Sequence, residues 1–409
     1  MRSTRSRHRL LLAFLLSGGL AACSKPAEKT PVGMWDATIK TAGGLEVPFR
    51  FEITGTPPAL SGSFFDGDLK RTSSPGTLTN GQLVLPFDEY GTKVDVTYKN
   101  DRLEGKYERG TRGAPYTFTA VRATPSSVAS GDVPSIAGEW RIPLDKPSSK
   151  GESAWRMVVR QTGADASAAI MRVDGDTGTL QGSYKNGTFT LSHFSGARPT
   201  VLEVTPVEDG SLKLVEDRRT TRVAYREDDE RAKAAPQPTD PTHHMGVVDP
   251  SAKFKFSFPD LEGNIVSDTD PRFQGKVVIV SLTGTWCPNC HDEAPFLSKL
   301  YKDYRAKGLE IVALSFEEPA QLKDLSRVRA FIKNYDITYP FLIAGDTDHE
   351  AAALPQAVNL NTFPATFILG KDGRVRATHA GYASKATGPH YMEEQKEFLA
   401  ELDRLLAEK

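Results

Sequence analysis

The run Lys276-Val277-Val278-Ile279-Val280-Ser281-Leu282, followed by Thr285-Trp286-Cys287-Pro288-Asn289-Cys290, decides how the C-terminal part of this chain is read. A continuous apolar run of this length is a strand buried on both faces, as in a parallel or mixed sheet. Directly after it, residues 288–307 place Leu297, Leu300, Tyr301 and Tyr304 at helical spacing. The two cysteines therefore sit where a buried strand hands over to a helix. The first sulfur lies beside backbone N–H groups that the helix leaves unsatisfied and beside its positive dipole end. Both favour a thiolate, so Cys287 is expected to have a lowered pKa and to be the attacking nucleophile. Pro288 suits the first helical turn because it has no N–H to waste. Cys290, in the same turn, is within reach to resolve a mixed disulfide.

Working outward, Leu309-Glu310-Ile311-Val312-Ala313-Leu314 reads as the next strand. A helix over about 321–335 and a strand over 339–343 come after it. A hairpin then pairs Ala365-Thr366-Phe367-Ile368-Leu369 with residues 374–378 around Lys371-Asp372-Gly373, and a last helix covers about 392–407. Strands alternating with helices predict an α/β layered domain.

The hexapeptide Thr285-Trp286-Cys287-Pro288-Asn289-Cys290 resembles the active site of the thioredoxin superfamily. Pro295 matches that family's helix-kinking proline, and Phe363-Pro364-Ala365-Thr366-Phe367 matches the segment with a cis-proline opposite the dithiol. The extra helix–strand material between Cys290 and Pro364 is similar to the central insert of TlpA-like, membrane-tethered disulfide reductases. The resemblance covers about 250–409 and implies a thioredoxin-like fold. It also implies thiol–disulfide exchange through a redox-active Cys287–Cys290 disulfide, with no cofactor. Glu293 falls where several of that group carry an active-site glutamate. It is either a relay for the Cys290 proton or a first-turn acid favoured by the helix dipole. Trp286 shields the site and offers substrate an apolar surface, or else only packs in the core. Pro364 (if cis) exposes with Phe363 a backbone edge where an extended substrate strand pairs; the bland alternative is a strand-start proline.

Ahead of this domain the grammar is antiparallel β. Residues 32–122 alternate apolar and polar positions in short runs, with Asn80-Gly81 and Asn100-Asp101 where hairpin turns belong. A Pro/Ser-rich stretch over 123–135 separates this unit from a second, 136–226, that repeats it. Gly33-Met34-Trp35 matches Gly138-Glu139-Trp140, Asn80-Gly81 matches Asn186-Gly187, and Asp66-Gly67-Asp68 matches Asp174-Gly175-Asp176. Each unit is a small sandwich or barrel, or the two close into one larger barrel. A docking or scaffold role is the default for both, and His193 and the acidic turns read as solvated loop residues. Residues 227–249 read as a flexible linker, on which His243-His244 lack the further ligands that a metal site needs.

Residues 1–22 are a basic segment followed by an apolar one about half the ~20 residues that cross a bilayer. Leu20-Ala21-Ala22-Cys23 after it resembles the bacterial lipobox. The reading is a lipoprotein signal peptide, acylation at Cys23, a tether over 23–31, and an extracytoplasmic address where disulfides persist. The leader carries four arginines and no acid, so the formal net charge of −1 becomes about −5 without it. Such a chain has no electrostatic reason to hold a nucleic acid. The expected partners are extracytoplasmic protein thiols and disulfides, the membrane through its lipid, and a membrane electron donor if the protein works as a reductant.

Two rival chemistries share these residues. Cys287-Pro288-Asn289-Cys290-His291 is also the c-type haem attachment signature. Peroxiredoxin-like thiol peroxidases carry Thr three residues before the nucleophile, where this chain has Gly284. The disulfide-exchange reading stands on a sulfur that a client can reach; a pair sealed in the interior would contradict it.

Overall fold

In the computed structural model, which describes residues 30–124 and 132–408, the N-terminal half forms two separate closed sheets. The first takes strands Gly33–Lys40, Glu46–Thr56, Ala59–Asp66, Gly76–Thr79, Gln82–Phe87, Thr92–Lys99, Arg102–Glu108 and Tyr116–Arg122 in up-and-down order. Its last strand pairs back onto its first, so eight strands close a barrel, and Leu69–Thr72 adds an arm to Ala59–Asp66. The second sheet repeats that order from Gly138–Pro143 to Thr220–Arg226. Eight strands leave an interior that side chains fill. Trp35, Phe51, Phe64, Phe87, Tyr107 and Phe118 fill the first.

The repeated Gly-x-Trp signature has a physical basis. Trp35 Nε1 donates to Pro31 O at 2.8 Å and Trp140 Nε1 to Ile136 O at 2.9 Å. Arg122 and Arg226 lie over the two indoles at 4.2 and 4.6 Å, the same plug built twice. Gly33 and Gly138 hold φ of +126° and +125°, and a Cβ on either would meet that arginine at 3.1 Å. The turns Asn80-Gly81 and Asn186-Gly187 take the positive φ that two-residue hairpins require.

The C-terminal region is a five-stranded mixed sheet in thioredoxin-like order. Its strands are β1 (Val277–Thr283), β2 (Leu309–Glu317), β3 (Phe341–Asp346), β4 (Ala365–Leu369) and β5 (Val375–Ala380), in spatial order β3-β2-β1-β4-β5. β1 runs parallel to β2 and antiparallel to β4, and every residue of it is buried. Val277 and Ile279 face helices α1 (Pro288–Tyr304), α2 (Ser326–Asn334) and α3 (Pro389–Ala407). Val278, Val280 and Leu282 face Phe254, Phe256 and Phe367. Helix α2 is shorter than its sequence suggests. The Asp324 side chain accepts Ser326 N–H, and its extended backbone splits a separate 3₁₀ turn, Gln321–Lys323, from the helix.

Two expectations need correction. The segment 227–249 is not a free linker. Asp229 caps a short helix, Glu230–Ala234, and Arg141 pairs with Glu227 and donates to Pro236 O at 3.1 Å. Further on, Ala380 N–H binds Pro241 O, Thr378 binds Met245 O, and His244 meets Asn361 at 2.7 Å. Nor is His193 solvated: it is 5% exposed, with its ring between Thr179 O and Ser195 Oγ. The acidic turns are buried in part, since Asp66 accepts Thr179 N–H from the other barrel and Asp176 accepts Ser384 N–H from the thioredoxin-like region. The barrels dock on each other and on that region, so residues that look solvated in an isolated unit lie in seams. The leader, Cys23 and most of the tether fall outside the described residues.

Candidate active site

β1 ends at Thr283, and Cys287 takes the N-cap position of α1, with φ −93° and ψ 113°. Its Sγ accepts Cys290 N–H at 3.2 Å, a bond a thiolate accepts better than a thiol. The helix start is fixed from behind. Glu317, fully buried at the end of β2, accepts Thr285 N–H at 2.8 Å and Thr285 Oγ1–H at 2.6 Å. Arg327 of α2 donates to Thr285 Oγ1 at 2.7 Å and to Glu317 at 3.0 Å. This pair escaped the sequence reading. The one available signal was an acid closing a mostly apolar strand next to the dithiol strand.

The Phe363–Pro364 peptide is cis, and Phe363 O accepts from the Cys287 thiol at 3.4 Å. Trp286 is half-buried, its Nε1 donating to Phe316 O at 2.8 Å and its ring edge-on to Phe363 with centroids 5.2 Å apart. Pro288 keeps some exposure at the first turn, and Pro295 lies inside α1. Cys287, Cys290, Trp286 and Phe363-Pro364 are thus brought together.

Glu293 is buried, one turn beyond Cys290. Ser281 Oγ–H and Thr366 Oγ1–H donate to its two oxygens at 3.1 and 3.3 Å. Burial pushes its carboxyl up to about 8 against those bonds. Burial also raises the Cys290 thiol well above its usual value, and the neighbouring Cys287 and Glu293 act in the same direction. Because the Glu293 pKa in the fold exceeds its ordinary 4.5, the fold favours the protonated form. The stability this provides is complete below about pH 4.5 and is lost as pH rises through about 8. A Glu293→Gln protein should therefore gain stability over wild type at pH 8 and little at pH 5. Urea melts at the two pH values test this, and equal differences at both would refute it.

The expectation of a reachable sulfur is not met in this arrangement: Cys287 is 0% exposed and Cys290 1%. The barrels are the reason sequence could not supply, because they grip the motif's own residues. Asn289 Nδ2 donates to Asp174 O at 2.6 Å, and Arg112 reaches Thr285 O at 3.3 Å. Arg71 pairs with Asp292 at 2.6 Å. Burial holds Asp292 up at about 7 against the pull of that arginine. Tyr90 stacks on His291 at 3.9 Å. His291 also has both ring nitrogens engaged, with Tyr335 OH at 2.8 Å and Thr285 O at 2.9 Å, so neither is presented to a haem iron.

Residues 250–378 match the AhpC/TSA family. The thiol–disulfide oxidoreductase ResA of Bacillus thuringiensis subsp. konkukian is 32% identical over 137 residues, covering 34% of this chain and 72% of that protein. ResA of Geobacillus thermodenitrificans is 31% identical over 155 residues, covering 38% of this chain and 82% of its own length. The thioredoxin-like protein YneN of Bacillus subtilis is 32% identical over 141 residues, covering 34% and 76%. The matched span holds the strand, dithiol and proline segment described above, and the chain belongs to the TlpA-like thiol–disulfide oxidoreductases of the thioredoxin superfamily.

Proposed function

We propose that Cys287 and Cys290 are the exchanging pair of an extracytoplasmic disulfide reductase, anchored to a bacterial membrane by lipid on Cys23. Cys287 thiolate attacks a client disulfide, forming a mixed disulfide and expelling one client thiolate. Cys290, losing its proton, attacks Cys287 Sγ and expels the second. Two electrons pass to the client, and the chain is left with a Cys287–Cys290 disulfide that a membrane electron donor reduces again. The observation that carries this reading is the Cys290 N–H bond to Cys287 Sγ at the start of α1. The Phe363 backbone beside that sulfur is where an extended client segment pairs, with Trp286 and Pro288 as its apolar surface. Glu293 takes up the Cys290 proton. Glu293→Gln should slow the resolving step about a hundredfold and remove its inflection near pH 8. Stopped-flow decay of a preformed mixed disulfide measures that step, and an unchanged pH profile would exclude the role.

The basic–apolar leader ending in Leu20-Ala21-Ala22-Cys23 supports the anchor and the address. No helix among the described residues is long and apolar enough to cross a membrane. Repeated strand order supports units at 32–122 and 136–226, followed by a 250–409 redox domain. Peroxidase chemistry is less well served. Gly284 brings no hydroxyl, and the Thr285 hydroxyl is taken by Glu317 and Arg327. Titration against glutathione buffers tests the proposal: intact-mass analysis should show loss of two hydrogens, reversibly, confined to this pair. A chain that never forms the bond would overturn it.

A further inference from the structure

We propose that the two barrels together form a lid over the dithiol, and that exchange with proteins proceeds from a state in which the lid has swung clear. This deepens the exchange reading and rests on it, since that reading needs a sulfur a client can reach. Four residues between positions 285 and 292 touch a barrel. Thr285 O receives Arg112, Asn289 binds Asp174 O, His291 lies under Tyr90, and Asp292 pairs with Arg71. The hold comes from both barrels, and neither cysteine keeps more than 1% of its surface. An extended peptide that must lie beside Cys287 Sγ and Phe363 cannot enter such a site.

The tip of the second barrel is shaped for this contact. A Cβ on Gly175 would lie 2.4 Å from Asn289 Nδ2 and 2.6 Å from Tyr382 O. One on Gly381, across the seam, would lie 2.3 Å from the Asp174 carbonyl carbon. Glycine at both positions lets two backbones meet directly over the motif. Asp176 secures the same tip by accepting Ser384 N–H and Ser384 Oγ–H.

The lid is built to move as one body. Phe194 and Val201 of the second barrel pack into the core of the first, and Tyr107 OH donates to Gly196 O across that junction at 2.6 Å. The seam toward the thioredoxin-like region carries the hydrogen bonds and ion pairs described above, and Val173 is the one barrel residue in that region's core, a more polar composition than the junction between the barrels. It also leaves a partly open cavity of about 100 Å³ lined by Arg156, Arg172, Pro238, His379, Tyr382 and Glu394. The chain crosses from one body to the other between Pro236, held by Arg141, and Pro241, held by Ala380. Residues 237–240 between those anchors are the hinge.

Alkylation tests the lid without requiring redox activity, so its failure is separable from failure of the exchange reading. The reduced full-length protein would be treated with iodoacetamide and with a polyethylene-glycol maleimide, and Cys287 labelling followed by peptide mass. Wild type should label at least tenfold slower than glutathione, and the bulkier reagent should be the more retarded. Gly175→Gln in the second barrel and Arg71→Met in the first should each speed labelling at least about tenfold, since the first drives a side chain into Asn289 and Tyr382 and the second leaves Asp292 without its buried partner. Near-ultraviolet circular dichroism checks that each barrel stays folded; if one variant fails that check, the other decides. Wild-type labelling at the glutathione rate, or folded variants that label no faster than wild type, would overturn the lid.

Discussion

A Cys287→Ser protein is expected to lose disulfide reduction by about a thousandfold or more, the scale of removing a nucleophile that no neighbour replaces. No other sulfur can take over. Cys290 is the only other cysteine among the described residues, and burial raises its thiol well above the usual value. A serine hydroxyl in the N-cap would still accept Cys290 N–H, so the helix start survives while the chemistry stops. The insulin turbidity assay, driven by dithiothreitol, reads the loss. Retention of a tenth of wild-type activity would show that electrons travel by another route.

The second large effect is predicted away from the sulfurs. Arg327 is 3% exposed and is the cation paired with the fully buried Glu317. Arg327→Leu leaves that carboxylate uncompensated, at an expected cost of about 3–5 kcal/mol. Glu317 then has only Thr285 and Ser315 to satisfy it, so the Thr285 loop that sets Cys287 should shift and exchange should slow. Replacing both partners by leucine should restore much of the stability, because the penalty comes from the orphaned charge rather than from a lost attraction. Guanidinium melts of the single and double variants against wild type measure this. A single variant within about 1 kcal/mol of wild type would mean that water reaches the pair.

The parts of this protein legible in sequence are those where local chemistry and final structure agree. A short, mostly apolar run rich in β-branched residues reads as a strand covered on both faces, and β1 is that strand. Asn80-Gly81 and Asn186-Gly187 are hairpin turns because few other residues take their φ. The matched Gly-x-Trp pairs announce a duplication, and the two indole–arginine plugs explain why those residues are repeated. Whether the units close as one barrel or two depends on pairing between residues such as Trp35 and Arg122, far apart in the chain, and alternation alone is silent on that.

The seams were illegible for a related reason. Asp66, His193 and Asp176 have the composition of solvated turns, and only another body docking on them makes them interior. The same docking grips Asn289 and Asp292 beside Cys287, which is buried although its neighbours in sequence, Trp286 and Pro288, remain partly exposed. Glu293 and Pro364 were placed by likeness to a family, and the structure sets both beside the cysteines: the carboxyl one turn along α1, the proline after the carbonyl that meets Cys287.

The most direct test of the division of labour between the two sulfurs is a trap. Cys290→Ser, mixed with a disulfide-bonded peptide, should accumulate a covalent adduct whose only linkage, by peptide mass, is through Cys287. Wild type should show none at steady state, and Cys287→Ser should form none. Adduct on Cys290 in the Cys287→Ser protein at a comparable rate would contradict the assignment of attacking and resolving sulfurs.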